Sequence, residues 1–230
     1  MKSALENLLA SRGFGPTLAA WQAAPEAPSE MASQLRPGTV SELVPDREAE
    51  AAGGGVTSRA LQLAAAAPGP VAWLDPQDSF DPASAARAGV ALERLLWVRG
   101  GQAPAALEAA QLILHAGRFA LVVVDFLDLP SAALRIPRAA WFRLLRTLER
   151  ERRASLLVLA PRPLAGSCAD QVIACSYQSV EWRGSSYALF DRARLGFRLV
   201  TSRRAPSSVA QAPGKRPVDA VGPVDREFVA

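Results

Sequence analysis

From residue 39 onward, short contiguous apolar runs alternate with stretches whose apolar residues recur every three or four positions. That alternation describes strands buried on both faces and joined by amphipathic helices. Strands are predicted over 39–44, 71–75, 95–98, 119–125 and 155–160. The connecting helices are predicted over 57–67, with Leu61 and Leu63, over 83–88, over 104–116 and from Pro137 to Arg153. The last places Trp141, Leu144, Leu145 and Leu148 on one face and arginines on the other. Beyond residue 160 the runs shorten, and strands over 171–174, 179–183, 186–190 and 197–202 read as antiparallel. The expected fold class is therefore α/β, a mostly parallel sheet flanked by helices with antiparallel strands near the C-terminal end. Outside this core, 1–35 reads as an amphipathic N-terminal helix over 3–22 followed by a Pro-rich linker. The segment 205–230, rich in Pro, Gly, Ser and charge, reads as a disordered tail.

Composition narrows the chemistry. The 230 residues include 45 alanines, and mean hydropathy is +0.09, which fits a packed domain. Asp125 and Asp128 interrupt the richest apolar run, so no membrane span is predicted, and the start of the chain does not read as a secretory signal. A cytoplasmic protein is expected. One histidine, His115, and two cysteines, Cys168 and Cys175, leave little for a zinc site or a His-dependent nucleophile. No catalytic residue and no metal ligand is assigned. His115, ending an apolar helical stretch, reads as packing or capping, and both cysteines read as packing residues.

Charge is local. Net charge is +4, yet residues 1–50 carry four basic and seven acidic side chains while 135–204 carry fourteen basic and five acidic. Within that basic half, Arg138, Arg143, Arg146, Arg150 and Arg153 on one predicted helix are candidate DNA contacts, because guanidinium pairs bidentately with phosphate. The other reading is a solvated helix face.

Ligands of parallel sheets bind at the carboxyl ends of strands, and three such ends are chemically marked. The first has Gly53, Gly54 and Gly55 followed by Thr57 and Ser58. Set against the phosphate-binding spacing G-x-x-x-x-G-K-[ST], Thr57 and Gly55 match, while Val56 stands at the Lys and Glu50 at the first Gly. Thr57 and Ser58 either touch a metal or N-cap the next helix, and the second reading is preferred. The second marked end holds Asp75, Asp78 and Asp81, which bind a cation or organise a turn and cap a helix. The third is Asp125, either a Mg²⁺-directing acid or a strand-end acid hydrogen-bonded to a neighbouring turn.

The run Asp75-Pro76-Gln77-Asp78-Ser79-Phe80-Asp81-Pro82, with Gly89-Val90 and the later strand Leu121-Val122-Val123-Val124-Asp125, resembles the RecA recombinase family. The likeness implies a RecA-like P-loop core over 36–204. In that family an acid in the second loop activates water, and Gln77 occupies its place here. The segments 130–136 and 161–169 are short where the recombinases carry long Gly-rich loops, and Pro161 replaces a polar residue. A RecA core with damaged ATP chemistry, carrying Arg36-Pro37-Gly38-Thr39-Val40-Ser41-Glu42-Leu43, Trp73-Leu74-Asp75-Pro76 and Leu95-Leu96-Trp97-Val98-Arg99, looks like the ImuA family. That resemblance implies a non-catalytic accessory protein in DNA-damage-induced (SOS) translesion synthesis. Its implied partners are an ImuB-like Y-family polymerase homologue, an error-prone replicative-type DNA polymerase, RecA and DNA, with no membrane. The degenerate nucleotide site would comprise Gly53, Gly54, Gly55, Thr57, Ser58 and Asp125, with ATP and Mg²⁺ the group such a site takes and no cofactor expected here. The alternatives are a working DNA-dependent ATPase of the RecA family, or a SulA-like inhibitor of cell division.

Overall fold

The computed structural model describes residues 35–47, 54–183 and 189–203. The predicted helix over 3–22, Gly53 and the tail over 205–230 lie outside the described residues.

Seven strands form one sheet: β1 (Val40–Pro45), β2 (Val71–Asp75), β3 (Leu95–Arg99), β4 (Leu121–Asp125), β5 (Ser155–Leu159), β6 (Ala169–Arg183) and β7 (Leu189–Ser202). Their order across the sheet is β3-β2-β4-β5-β1-β6-β7. Every neighbouring pair is parallel except β6 and β7. Four helices, α1 (Val56–Ala65), α2 (Pro82–Arg87), α3 (Ala103–Ala116) and α4 (Arg138–Glu151), fill the connections between β1 and β5. The α/β class and the mostly parallel sheet follow the expectation from the apolar pattern.

Local chemistry sets the boundaries. Asp81 accepts the Ala83 and Ser84 N–H groups at the start of α2, with Pro82 in the first turn. The helix α3 also carries a proline in its first turn and ends on Gly117 at φ 67°, a left-handed conformation that costs glycine little. By contrast α4 ends on Arg152 at φ 48°, where a side chain is strained. One expected boundary fails: Thr57 and Ser58 do not cap α1. That helix starts earlier, at Val56, with Gly55 as its N-cap and no side-chain cap bond, so both hydroxyls sit inside the first turn.

The antiparallel end also differs from expectation. Four short strands are in fact two long ones, and β6 joins the sheet parallel to β1. Register shifts between Val172 and Ile173, Tyr177 and Ser179, and Glu181 and Trp182 break the pairing locally. Bulges of this kind interrupt the alternation that identifies a strand in sequence. Only residues up to Cys175 pair with β1, so the far part of the β6–β7 hairpin runs on past the carboxyl edge of the sheet.

Two apolar clusters flank the sheet. One face holds Leu43, Trp73, Leu121, Val123 and Leu157 under α1, with Ala85 of α2. The other holds Val40, Leu74, Val122, Leu156 and Val158 under α3 and α4. Crossover handedness explains this division. From β1 the chain steps one way across the sheet through β2 to β3, then reverses through β4 and β5 to β6. Right-handed crossovers must change face where the direction reverses. Thus α1 and α2 lie on one face, and α3, α4 and the β5–β6 link on the other.

That link is held by a buried acid. Glu42, central in β1 and 0% exposed, accepts the Leu164 and Ala165 N–H groups on one oxygen, at 2.7 and 2.9 Å. Its other oxygen has no partner, and burial pushes its carboxyl above the usual range despite those two bonds. Glu42→Ala should lower the urea-unfolding free energy by about 1–3 kcal/mol, because two buried donors lose their acceptor. Glu42→Gln keeps an acceptor without the buried charge, and its unfolding curve should lie at or above that of the wild type. Equal loss in both variants would mean that the ionised carboxylate is required.

Candidate functional site at the carboxyl edge

Neighbouring strands whose connections leave to opposite faces open a crevice at their carboxyl ends, where α/β sheets bind ligands. Two such places border the chemically marked strand ends, between β1 and β5 and between β2 and β4. All three chemically marked ends border one or the other.

At the first crevice, β1 ends in Asp46, which is 6% exposed and forms a two-point ion pair with Arg198 of β7, at 2.8 and 3.1 Å. Arg47 donates across the gap to the Pro161 carbonyl at 3.2 Å. Gly54 and Gly55 then lead into α1, and Gly55 takes φ 78°. A Cβ on Gly54 would collide with the Tyr177 ring, and one on Gly55 with the Leu195 side chain. These glycines are therefore needed for close approach to the β6–β7 hairpin. Val56, at the Lys position of the phosphate-binding spacing, is 4% exposed and belongs to the apolar cluster. Thr57 is exposed and Ser58 half-buried.

One turn further, Arg59 is 2% exposed, donates to Gln62 at 3.1 Å and stacks over the Phe197 ring at 4.1 Å. Burial lowers its pKa from the usual guanidinium value, while nearby Cys175 opposes the shift. Burial likewise pushes the Cys175 thiol up to about 12, so it packs as a neutral thiol. Cys168 is also buried and free.

At the second crevice the acids are already engaged. Asp75 accepts from the Ser79 and Phe80 N–H groups at 3.0 and 2.9 Å and from the Trp97 indole at 3.1 Å. Asp78, at φ 59°, forms a fork with Arg99 at 2.6 and 2.7 Å, and Arg99 stacks on Trp97. The turn-and-cap reading of Asp75 and Asp81 is the one realised. Gln77 donates from its amide to the Asp128 carbonyl at 3.4 Å, spanning the crevice. Among the described residues, no group of three or more His, Cys, Asp or Glu is placed to hold a metal ion.

Asp125 is 6% exposed and accepts the Leu127 N–H at 3.2 Å, as a strand-end acid bonded to its own turn does. Its pKa is raised to about 7, first by burial and then by the neighbouring charges of Asp75 and Asp128. The buried Trp73 indole nitrogen stands close enough to favour the ionised form without reaching hydrogen-bond geometry.

The arginines lie elsewhere, on α4 and just beyond it. Arg138, Arg143, Arg146, Arg150 and Arg153 are all exposed, as the amphipathic pattern requires. They do not form one free stripe: Arg138 donates to Ser167 at 3.3 Å, and Arg150 to His115 Nδ1 at 2.6 Å and Glu151 at 3.3 Å. On the buried side Thr147 joins Trp141, Leu144 and Leu148, bonded to the Arg143 carbonyl at 3.1 Å, while Leu145 is half-buried. His115 thus ties the end of α3 to α4.

Sequence reasoning missed Asp46, Arg59, Arg198, Tyr177 and Leu195. What they share, contact between the first loop or α1 and the distant β6–β7 hairpin, exists only once those strands are placed. No protein-family model matches the chain, and no curated protein matches it.

The Asp125 shift fixes a pH dependence. Its carboxyl titrates near 3.8 when unperturbed and about 7 when folded, so between these values the folded state holds the extra proton. Stability from this group is present below about pH 4 and is lost as pH rises through 7. Asp125→Asn keeps the acceptor for Leu127 and should be more stable than wild type above pH 7, on the order of a few kcal/mol. The advantage should shrink towards pH 4. Melting curves that run parallel from pH 4 to 8 would show that Asp125 is ionised throughout.

Proposed function

We propose that the protein is a RecA-like accessory factor that carries out no phosphoryl transfer and acts by binding partner proteins in DNA-damage-induced translesion synthesis. The observation that carries the first half is Val56. Phosphoryl transfer in P-loop proteins depends on a lysine beside the phosphates, a hydroxyl and an acid for Mg²⁺, and a residue that positions water. At the lysine position stands an apolar side chain that belongs to the same buried cluster as Leu43, Ala60 and Leu157.

The remaining groups point the same way. Gln77, which has no basic oxygen to offer, spends its amide on the Asp128 carbonyl. Asp125 is buried and accepts the Leu127 N–H, with burial raising its carboxyl above the usual range. Gly54 and Gly55 are occupied by the Tyr177 ring and the Leu195 side chain. ATP with Mg²⁺ does not fit this donor set. The second half rests on the resemblance to the ImuA family, whose implied partners are an ImuB-like polymerase homologue and an error-prone replicative-type polymerase.

Each lost electrostatic contact of this kind costs a few kcal/mol of barrier, roughly a hundredfold to a thousandfold in rate. Phosphate release from ATP should therefore stay at background at high protein concentration, with or without single-stranded DNA and the candidate polymerases. Co-purification with the ImuB-like protein should persist without nucleotide. Turnover that disappears in Asp125→Ala would replace this reading by the ATPase.

A further inference from the structure

We infer that the groove between α3 and α4 is a docking site for an amphipathic partner helix that is acidic along one flank and carries Leu or Phe as its anchor. The inference rests on the reading of the protein as a partner-binding factor and names the surface and the chemistry of the partner.

Glu108, Gln111, Leu112 and His115 of α3 and Thr147 and Arg150 of α4 line an open groove of about 490 Å³. Leu112 is 53% exposed, and Phe142 on the outer side of α4 is 43% exposed. Both helices bury their own cores fully beneath this surface, so neither side chain is there to complete the domain. An exposed leucine beside arginine gives the groove an apolar floor and a charged wall, the layout into which an amphipathic helix lays its apolar face.

Charge decides the kind of partner. The α4 wall is basic: Arg143 and Arg146 are exposed beside Arg150, with Arg153 just beyond the helix, against Glu149 and Glu151. The α3 wall carries Glu108, which is exposed and has no basic neighbour on its own helix. A uniform polyanion laid along this groove would meet repulsion from Glu108 and would leave Leu112 without an apolar contact. A helix with carboxylates facing α4 and an apolar residue over Leu112 satisfies both walls.

The His115–Arg150 contact adds a polar fixture. Arg150 meets His115 Nδ1 at 2.6 Å and Glu151 at 3.3 Å, which ties the end of α3 to α4 at the groove edge. The groove edge therefore presents a guanidinium beside an imidazole, a polar corner suited to a carboxylate. A helix seated this way would lie against α3 and α4, on the opposite face of the sheet from α1 and the glycine turn.

The test is a selection. Full-length protein is used to enrich a display library of roughly 15-residue peptides, about four helical turns, with Leu112→Asp protein for subtraction. Both Leu112→Asp and Arg143→Glu with Arg150→Glu change exposed positions, and their melting temperatures establish that the fold is kept. Enriched sequences should carry Asp or Glu at helical spacing with Leu or Phe between them. The best labelled peptide should bind wild type at least about tenfold more tightly than either variant, and added salt should weaken it.

Enriched sequences without an acidic bias, or peptides that bind the variants as well as the wild type, would overturn the docking site. So would an empty selection in which a labelled strand of roughly 20 nucleotides binds and only the arginine variant loses it, which would assign the face to phosphate. ATP turnover by the wild type would overturn the accessory reading and leave the peptide result as it stands. The two failures are thus separable.

Discussion

The handedness of the crossovers governs where everything else lies. A chain that steps from β1 to β3 in one direction and returns to β6 in the other must change faces once, and it does so between α2 and α3. That change sends the connections of β1 and β5, and of β2 and β4, to opposite sides of the sheet. The two crevices that result fall beside Asp46 and the glycine turn in one case, and beside Asp75 and Asp125 in the other. The same reversal brings α3 and α4 side by side on the second face. One steric preference therefore produces both a potential ligand edge and a helical surface remote from it.

Buried charge is common to both crevices of the ligand edge. Asp46, Arg59, Asp75 and Asp125 are each under a tenth exposed, and each is held by side-chain or backbone partners of the same chain. Desolvated charges of this kind are retained when their partners are satisfied in place. A working phosphate site needs the reverse, with donors and a cation left available until the ligand arrives. Here the lysine position is apolar, the glutamine is bonded across the crevice, and the hairpin touches the glycines.

Most of the fold was legible because the strands from β2 to β5 are nearly continuous apolar runs and the longer helices keep a 3.6-residue period. The contiguous Leu121–Asp125 run and the Trp141, Leu144, Leu148 spacing each correspond to an observed element. The antiparallel end was not legible, since bulges near Ile173, Ser179 and Trp182 disrupt the two-residue period that a strand shows in sequence. The start of α1 was also displaced: hydroxyl residues suggest a cap, yet the place is taken by Gly55, which tolerates φ 78° and has no Cβ to meet Leu195. At the site, the acids of the second loop were read as turn builders from the flanking prolines alone. The Asp46–Arg198 pair could not be found, because its partners are separated by 152 positions.

The hairpin gives these observations a physical order. Its strands run on past Cys175, and the paired Tyr177 and Leu195 come to lie against the glycine turn. Glycine there is explained by close approach of protein to protein, without requiring a phosphate. Arg198 and Phe197 of β7 then meet Asp46 and Arg59, so the edge strand is fastened to the first loop by an ion pair and a stacked cation. The arginines of α4 differ in kind: they stand at the surface, next to Leu112 and Phe142, where a second macromolecule can still satisfy them. Binding free energy remains available at that face, whereas the carboxyl edge has already committed most of its polar groups.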